Sequence, residues 1–127
     1  MVVTHRALSK EERAIQNLIE QIAIAVTRAF VQAMDAFMEH DLDLAGDVIE
    51  NDLRINNLCR QIEEQSFVSI ALRQPVANDL RKLLASIHIA EEYERIGDYA
   101  SDIARKVQEM KEVPRKACRD NFQLMTD

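Results

Sequence analysis

Residues 72–104 read LRQPVANDLRKLLASIHIAEEYERIGDYASDIA, and this stretch decides the fold. Pro75 has no amide hydrogen and disfavours helix at Gln74, so one helix must stop there. The same proline suits the first turn of the next helix. Beyond it, Val76, Leu80, Leu83, Ile87 and Ala90 begin an apolar stripe at helical spacing, and Ala104 and Val107 continue it. The spacing predicts a helix from Val76 to about Glu112, ended by Pro114.

Working towards the N-terminus, Ala45, Val48, Ile55, Cys59, Ile62 and Ser66 trace a second stripe. It predicts a helix from Leu44 to Leu72, with an Asp cap offered by "HDLD" at 40–43. Before that, Ser9 and Glu12 form an S-x-x-E capping box ahead of Ile15, Leu18, Ile22, Ala25 and Ala29, with Val26, Ala33 and Phe37 widening the stripe. A first helix of about eight turns is predicted, from roughly Lys10 to His40. Three long helices joined by tight turns must be antiparallel neighbours. The fold class is therefore all-α: an antiparallel three-helix bundle over residues 1–113, with residues 114–127 as a tail or the start of a truncated second unit.

Composition agrees. The 127 residues suffice for one domain with its own core, and two glycines and two prolines leave little material for turns. The formal charge of −6 argues against nucleic acid as a partner. No apolar run is long enough to span a membrane, and the opening MVVTHRALSKEERA lacks a signal-peptide core, so a cytoplasmic location without membrane insertion is expected. Two distant cysteines, Cys59 and Cys118, fit that compartment, and Cys59 reads as a small core residue.

The acids of the third helix are oddly placed. Glu94 and Asp98 lie roughly 20° to either side of Ile87 on the wheel, in a core direction, and Asp102 lies roughly 60° away. On the second helix Asp52 falls between Val48 and Ile55, with Asn56 one turn on. A hairpin about residue 74 sets Glu94 level with roughly residue 54 and Asp98 with roughly residue 50, bringing the two pairs to one height. Buried carboxylates at one level need an offset. Arg54, Arg60 or Arg95 could supply it at a partly open seam. A hard cation held by oxygen ligands would supply it equally, and an oxygen-only set favours Mg²⁺, Mn²⁺, Ca²⁺ or iron.

The quoted segment resembles the signature of PhoU domains, the bacterial phosphate-uptake regulators: a QPVA-x-DLR helix start followed by an acid-Arg-Ile-Gly-Asp box. DVIENDLRINNLCRQIE at 47–63 resembles the family's preceding helix. The resemblance implies a three-helix repeat whose acid-x-x-x-Asp boxes bind metal: Glu94 and Asp98, with Asp52 and Asn56 as counterpart and Asp102 as an outer candidate. The metal it implies is a divalent cation or iron, with Mg, Mn, Fe and Zn not separated. It further implies a non-enzymatic regulator contacting the ATPase subunit of a phosphate ABC transporter and a sensor histidine kinase, peripheral to the inner membrane through those partners. Such proteins usually carry two repeats, so this chain is expected either to be part of a longer one or to form a homodimer.

Two other classes fit less well. A ferritin-like di-iron oxidase needs four helices and Glu-x-x-His pairs, and none of His5, His40 and His88 follows a glutamate by three. A histidine phosphotransfer module would need to use His88, the mid-helix histidine. Neither a Ser/His/Asp spacing nor a Gly-rich phosphate loop is present, so binding of free phosphate is not expected.

Overall fold

A computed structural model of the chain describes the backbone of residues 2–110 and the side chains of residues 9–110. The order is α1 (Val2–Glu39), α2 (Leu42–Arg73) and α3 (Ala77–Met110), each packed on both others in one up-down-up bundle. The expected architecture is therefore present. The expected tail at 114–127 lies outside the described residues.

The turns follow local chemistry. Asp41 caps α2 by accepting a 3.0 Å hydrogen bond from the Leu44 amide. At the other end Gln74 takes a left-handed conformation, φ 45°, which ends α2 directly before Pro75. The α3 entry is one step later than its sequence suggests. The Val76 carbonyl accepts from the Leu80 amide at 2.9 Å, so Val76 borders the helix and Pro75 stands outside it. Val76 is accordingly 72% exposed, not a core residue.

α1 also departs from expectation. It starts at Val2, so Ser9 is an interior residue and the capping box does not operate. Residues 2–9 hold neither Gly nor Pro, and nothing in them interrupts the helix. Glu11 instead reaches across to α2. Its Oε2 accepts a 2.7 Å bond from the buried Ser69 hydroxyl, and its Oε1 receives Arg73 Nε at 3.1 Å and Nη2 at 3.0 Å. Partial burial pushes the Glu11 carboxyl upward, but these two hydrogen bonds and the Arg73 charge outweigh it and hold the group below its usual range. A depressed carboxylate stabilises the fold above its unfolded pKa and loses that contribution as pH falls through the folded one. Glu11→Ala is expected to remove about 1–2 kcal/mol at neutral pH, partly by stranding the Ser69 hydroxyl. Thermal melts should show the gap to wild type narrowing in acid; an unchanged gap at about pH 2 would contradict this account.

The core is aliphatic and small. Ile15, Ile22 and Val26 of α1 meet Val48, Ile55 and Ile62 of α2 and Leu83, Ala90 and Val107 of α3. Alanines at 29, 33 and 36 line α1 where the helices come close. Leu58 and Ser69 are buried beyond the predicted α2 stripe. Phe37, by contrast, is exposed at the edge of the buried face of α1.

Candidate metal seam and family relationship

Gly97 sets the closeness of α2 and α3. A Cβ there would stand 3.1 Å from Ile55 Cγ2 and 3.3 Å from its Cδ1, with Val26 Cγ2 at 3.7 Å. The missing side chain lets Ile55 press onto the α3 backbone. That contact lies between Glu94 and Asp98 on one helix and between Asp52 and Asn56 on the other. Two polar edges are thereby drawn along one seam.

The structure grades the predicted residues. Asp52, Asn56 and Glu94 are partly buried, whereas Asp98 and Asp102 are exposed. The inward placement expected for Asp98 is thus corrected. The reason is the rotation of the buried stripe. It runs through Leu83, Ile87 and Ala90, then shifts to Gly97, Ala100, Ala104 and Val107. Core spacings near 3.5 residues drift steadily around a helix of 3.6. Ile87 therefore marks the inward direction at its own level, and by residue 98 that direction has turned away.

The acids nevertheless feel one another. Desolvation, followed by the charges of Asp52, Glu94 and Asp102, pushes the Asp98 carboxyl above its usual range, and Arg105 partly offsets this. Asp52 Oδ1 and Asn56 Oδ1 are buried without a hydrogen-bond partner. Of the arginines weighed as partners, Arg95 turns to Glu92 at 3.8 Å. Arg105, beyond the motif, pairs with Asp102 at 3.1 Å and draws it to the outer rim.

Cys59 gains a second role. It is buried, as expected for a core residue, but its thiol donates to Glu63 Oε1 at 3.6 Å and also lies against Glu94. Burial, then Glu94 and Glu63, push the thiol far up, so it stays neutral. Glu63 was open to prediction, since it follows Asn56 by seven residues and Cys59 by four on one side of α2. His88 is exposed, with α3 continuing past it.

A hard cation would suit this donor set in part. The two orphaned oxygens and the mutually repelling acids are what a cation would relieve. As placed, however, no group of three or more His, Cys, Asp or Glu among the described residues stands ready to hold a metal ion. Glu94 and Asp98 would have to swing inward to close a shell with Asp52 and Asn56.

A long-helix bundle with small residues at its centre and acid boxes along one seam defines the class. The chain belongs to the PhoU domain family, whose model matches residues 10–107. It is 35% identical over 101 residues to a phosphate-specific transport system accessory protein PhoU homolog of Rhizobium meliloti, covering 80% of this chain and 43% of that protein. A homolog of the same description from Synechocystis is 31% identical over 90% of this chain and 50% of its own length. The accessory protein PhoU of Edwardsiella tarda is 35% identical over 80% of this chain and 42% of its own. The chain thus spans about half the length of these relatives. No solved structure matches it significantly. No helix among the described residues is long and apolar enough to cross a membrane.

Proposed function

We propose that this chain is a non-catalytic accessory unit of a phosphate-specific transport system. It lowers the phosphate-starvation response by contacting the transporter's ATPase subunit and a sensor histidine kinase, from the cytoplasmic side and without inserting. The observation that carries this reading is the family match over residues 10–107, joined to relatives described as phosphate-specific transport system accessory proteins. Exposed helix faces of mixed charge suit such contacts. The resemblance implies two such units working together, supplied either by a pair of copies or by a second unit in a longer chain.

In this reading Glu94, Asp98, Asp52 and Asn56 hold a divalent cation or iron, with Asp102 at the rim. The cation neutralises the seam and ties α2 to α3. The orphaned oxygens of Asp52 and Asn56 and the raised Asp98 carboxyl support it.

Deleting the coding region tests the role. Expression of a phosphate-starvation reporter should rise in phosphate-rich medium, and the chain should co-purify with the transporter's ATPase subunit. A reporter that stays repressed, with no ATPase recovered, would overturn the assignment.

A further inference from the structure

A cavity of about 150 Å³ opens between α1 and α2. Its floor is apolar, made by Ala25, Ala29 and Ile55, the last two buried. Its rim is polar. Gln21, Arg28 and Gln32 stand along α1, and Asn51 and Arg54 answer them from α2. Steps of seven and four residues keep the three α1 side chains on one face. Asp41, the cap between the helices, falls midway between Arg28 and Arg54 in the sequence. An antiparallel hairpin turning there sets the two arginines at nearly one height. No described residue lining the cavity is acidic, in a chain where 22 Asp and Glu outnumber 16 Lys and Arg. None of the five rim side chains makes a hydrogen bond or ion pair with another described residue. Gln32 Oε1 is moreover buried without a partner, which costs stability until something meets that carboxamide.

We propose that this cleft binds a dianionic tetrahedral oxyanion, a phosphate either free or carried as a monoester. Arg28 and Arg54 place two like charges on one hollow, above an apolar floor that screens them poorly from below. A dianion neutralises both, whereas a single carboxylate leaves one positive charge over. Each planar guanidinium fork matches two oxygens of such an ion. The carboxamides of Gln21, Gln32 and Asn51 supply further N–H donors. Turned about its last bond, the Gln32 carboxamide presents Nε2 where Oε1 now stands. The volume suits a small ion with a little water, and the alcohol part of a monoester extends through the open mouth. Side chains here do what a Gly-rich loop does with backbone amides, so the lack of such a loop is no obstacle. The cleft is separate from the acid seam, since Asp52 and Asn56 lie roughly 120° further round α2. It is likewise independent of the accessory role proposed above.

Calorimetric titration of the chelator-treated chain with inorganic phosphate, at constant ionic strength, tests the site. The chelator removes any cation that would itself capture phosphate. One-to-one binding is expected, with a dissociation constant on the order of 1 mM or below. Arg28→Ala and Arg54→Ala should each weaken it at least about tenfold. Both side chains are exposed, so helical circular dichroism should not change. Arg28→Lys keeps the charge without the fork and should fall between. Arg60→Ala removes the same charge from an exposed position of α2 outside the cleft and should leave affinity within about twofold. Glycerol 3-phosphate is titrated in parallel. Tighter binding than phosphate assigns the cleft to a monoester and weaker binding to the free ion, and either upholds the proposal. Succinate, a dianion of two separate carboxylates, should bind at least about tenfold more weakly than phosphate. Equal affinity for succinate overturns the tetrahedral class. Absence of binding heat and of a melting shift with both phosphates at about 20 mM overturns the site. So does phosphate affinity that is unchanged in the Arg28→Ala/Arg54→Ala protein.

Discussion

Gly97→Val is expected to lower the melting temperature by at least about 10 °C, roughly 2–3 kcal/mol for a bundle of this size. The first atom added already stands 3.1 Å from Ile55 Cγ2. Ile55 is fully buried in the core, so it cannot rotate away freely. Val adds two further methyl groups to that contact and is a poorer helix former than Ala. Gly97→Ala should fall between: the helix gains about 1 kcal/mol in propensity, and the crowding against Ile55 removes a similar or larger amount. Ile55→Val deletes the Cδ1 at 3.3 Å and should recover part of the loss when combined with Gly97→Ala. That coupling is measurable in a double-mutant cycle. A Gly97→Val protein melting like wild type would show that α2 and α3 are not held together at this point.

The same glycine separates what sequence could and could not give. Pro75 and Asp41 placed both turns, because each acts on its own neighbours through backbone chemistry. The α2 stripe placed its buried side chains, because apolar spacing reports burial directly. The seam was harder. Ile87 gave the inward direction, and extending that direction along an ideal helix put Asp98 inside. The buried stripe of α3 has turned by residue 98, and that rotation shows only once three helices pack together. The hairpin estimate survived better: Asp98 senses Asp52, and Glu94 lies against Cys59, within about one and a half turns of the levels expected. Phe37 was misjudged for a further reason. It stands one turn after the buried Ala33, so spacing set it in the stripe, and only the packing of the neighbouring helices leaves the stripe's edge open there.

The acids of the seam should make the apoprotein weaker and the metal-bound protein stronger, so one substitution should move the two in opposite directions. In chelator-treated protein at neutral pH, Asp98→Asn is expected to raise the melting temperature by about 1–3 °C, a small gain because the exposed side chain is screened by solvent. The sign follows from the raised Asp98 carboxyl. A group whose folded pKa is raised contributes stability fully present below its unfolded pKa and lost as pH rises through the folded one. The advantage of asparagine should therefore vanish in acid, where Asp98 itself is neutral. With Mn²⁺ added at about 100 times its dissociation constant, the wild type should gain about 2.7 kcal/mol, on the order of 10 °C. Asp98→Asn removes one charged oxygen ligand and should lose most of that rise, and Glu94→Ala with Asp98→Ala should abolish it along with the calorimetric binding signal. Glu92→Ala, an exposed acid paired with Arg95 away from the seam, should keep both. Equal metal stabilisation in the wild type and the Glu94→Ala/Asp98→Ala protein would remove the seam as the site. A rise of the apoprotein melt in Asp98→Asn without any metal effect in the wild type would identify the acids as repelling groups at an open edge of the bundle.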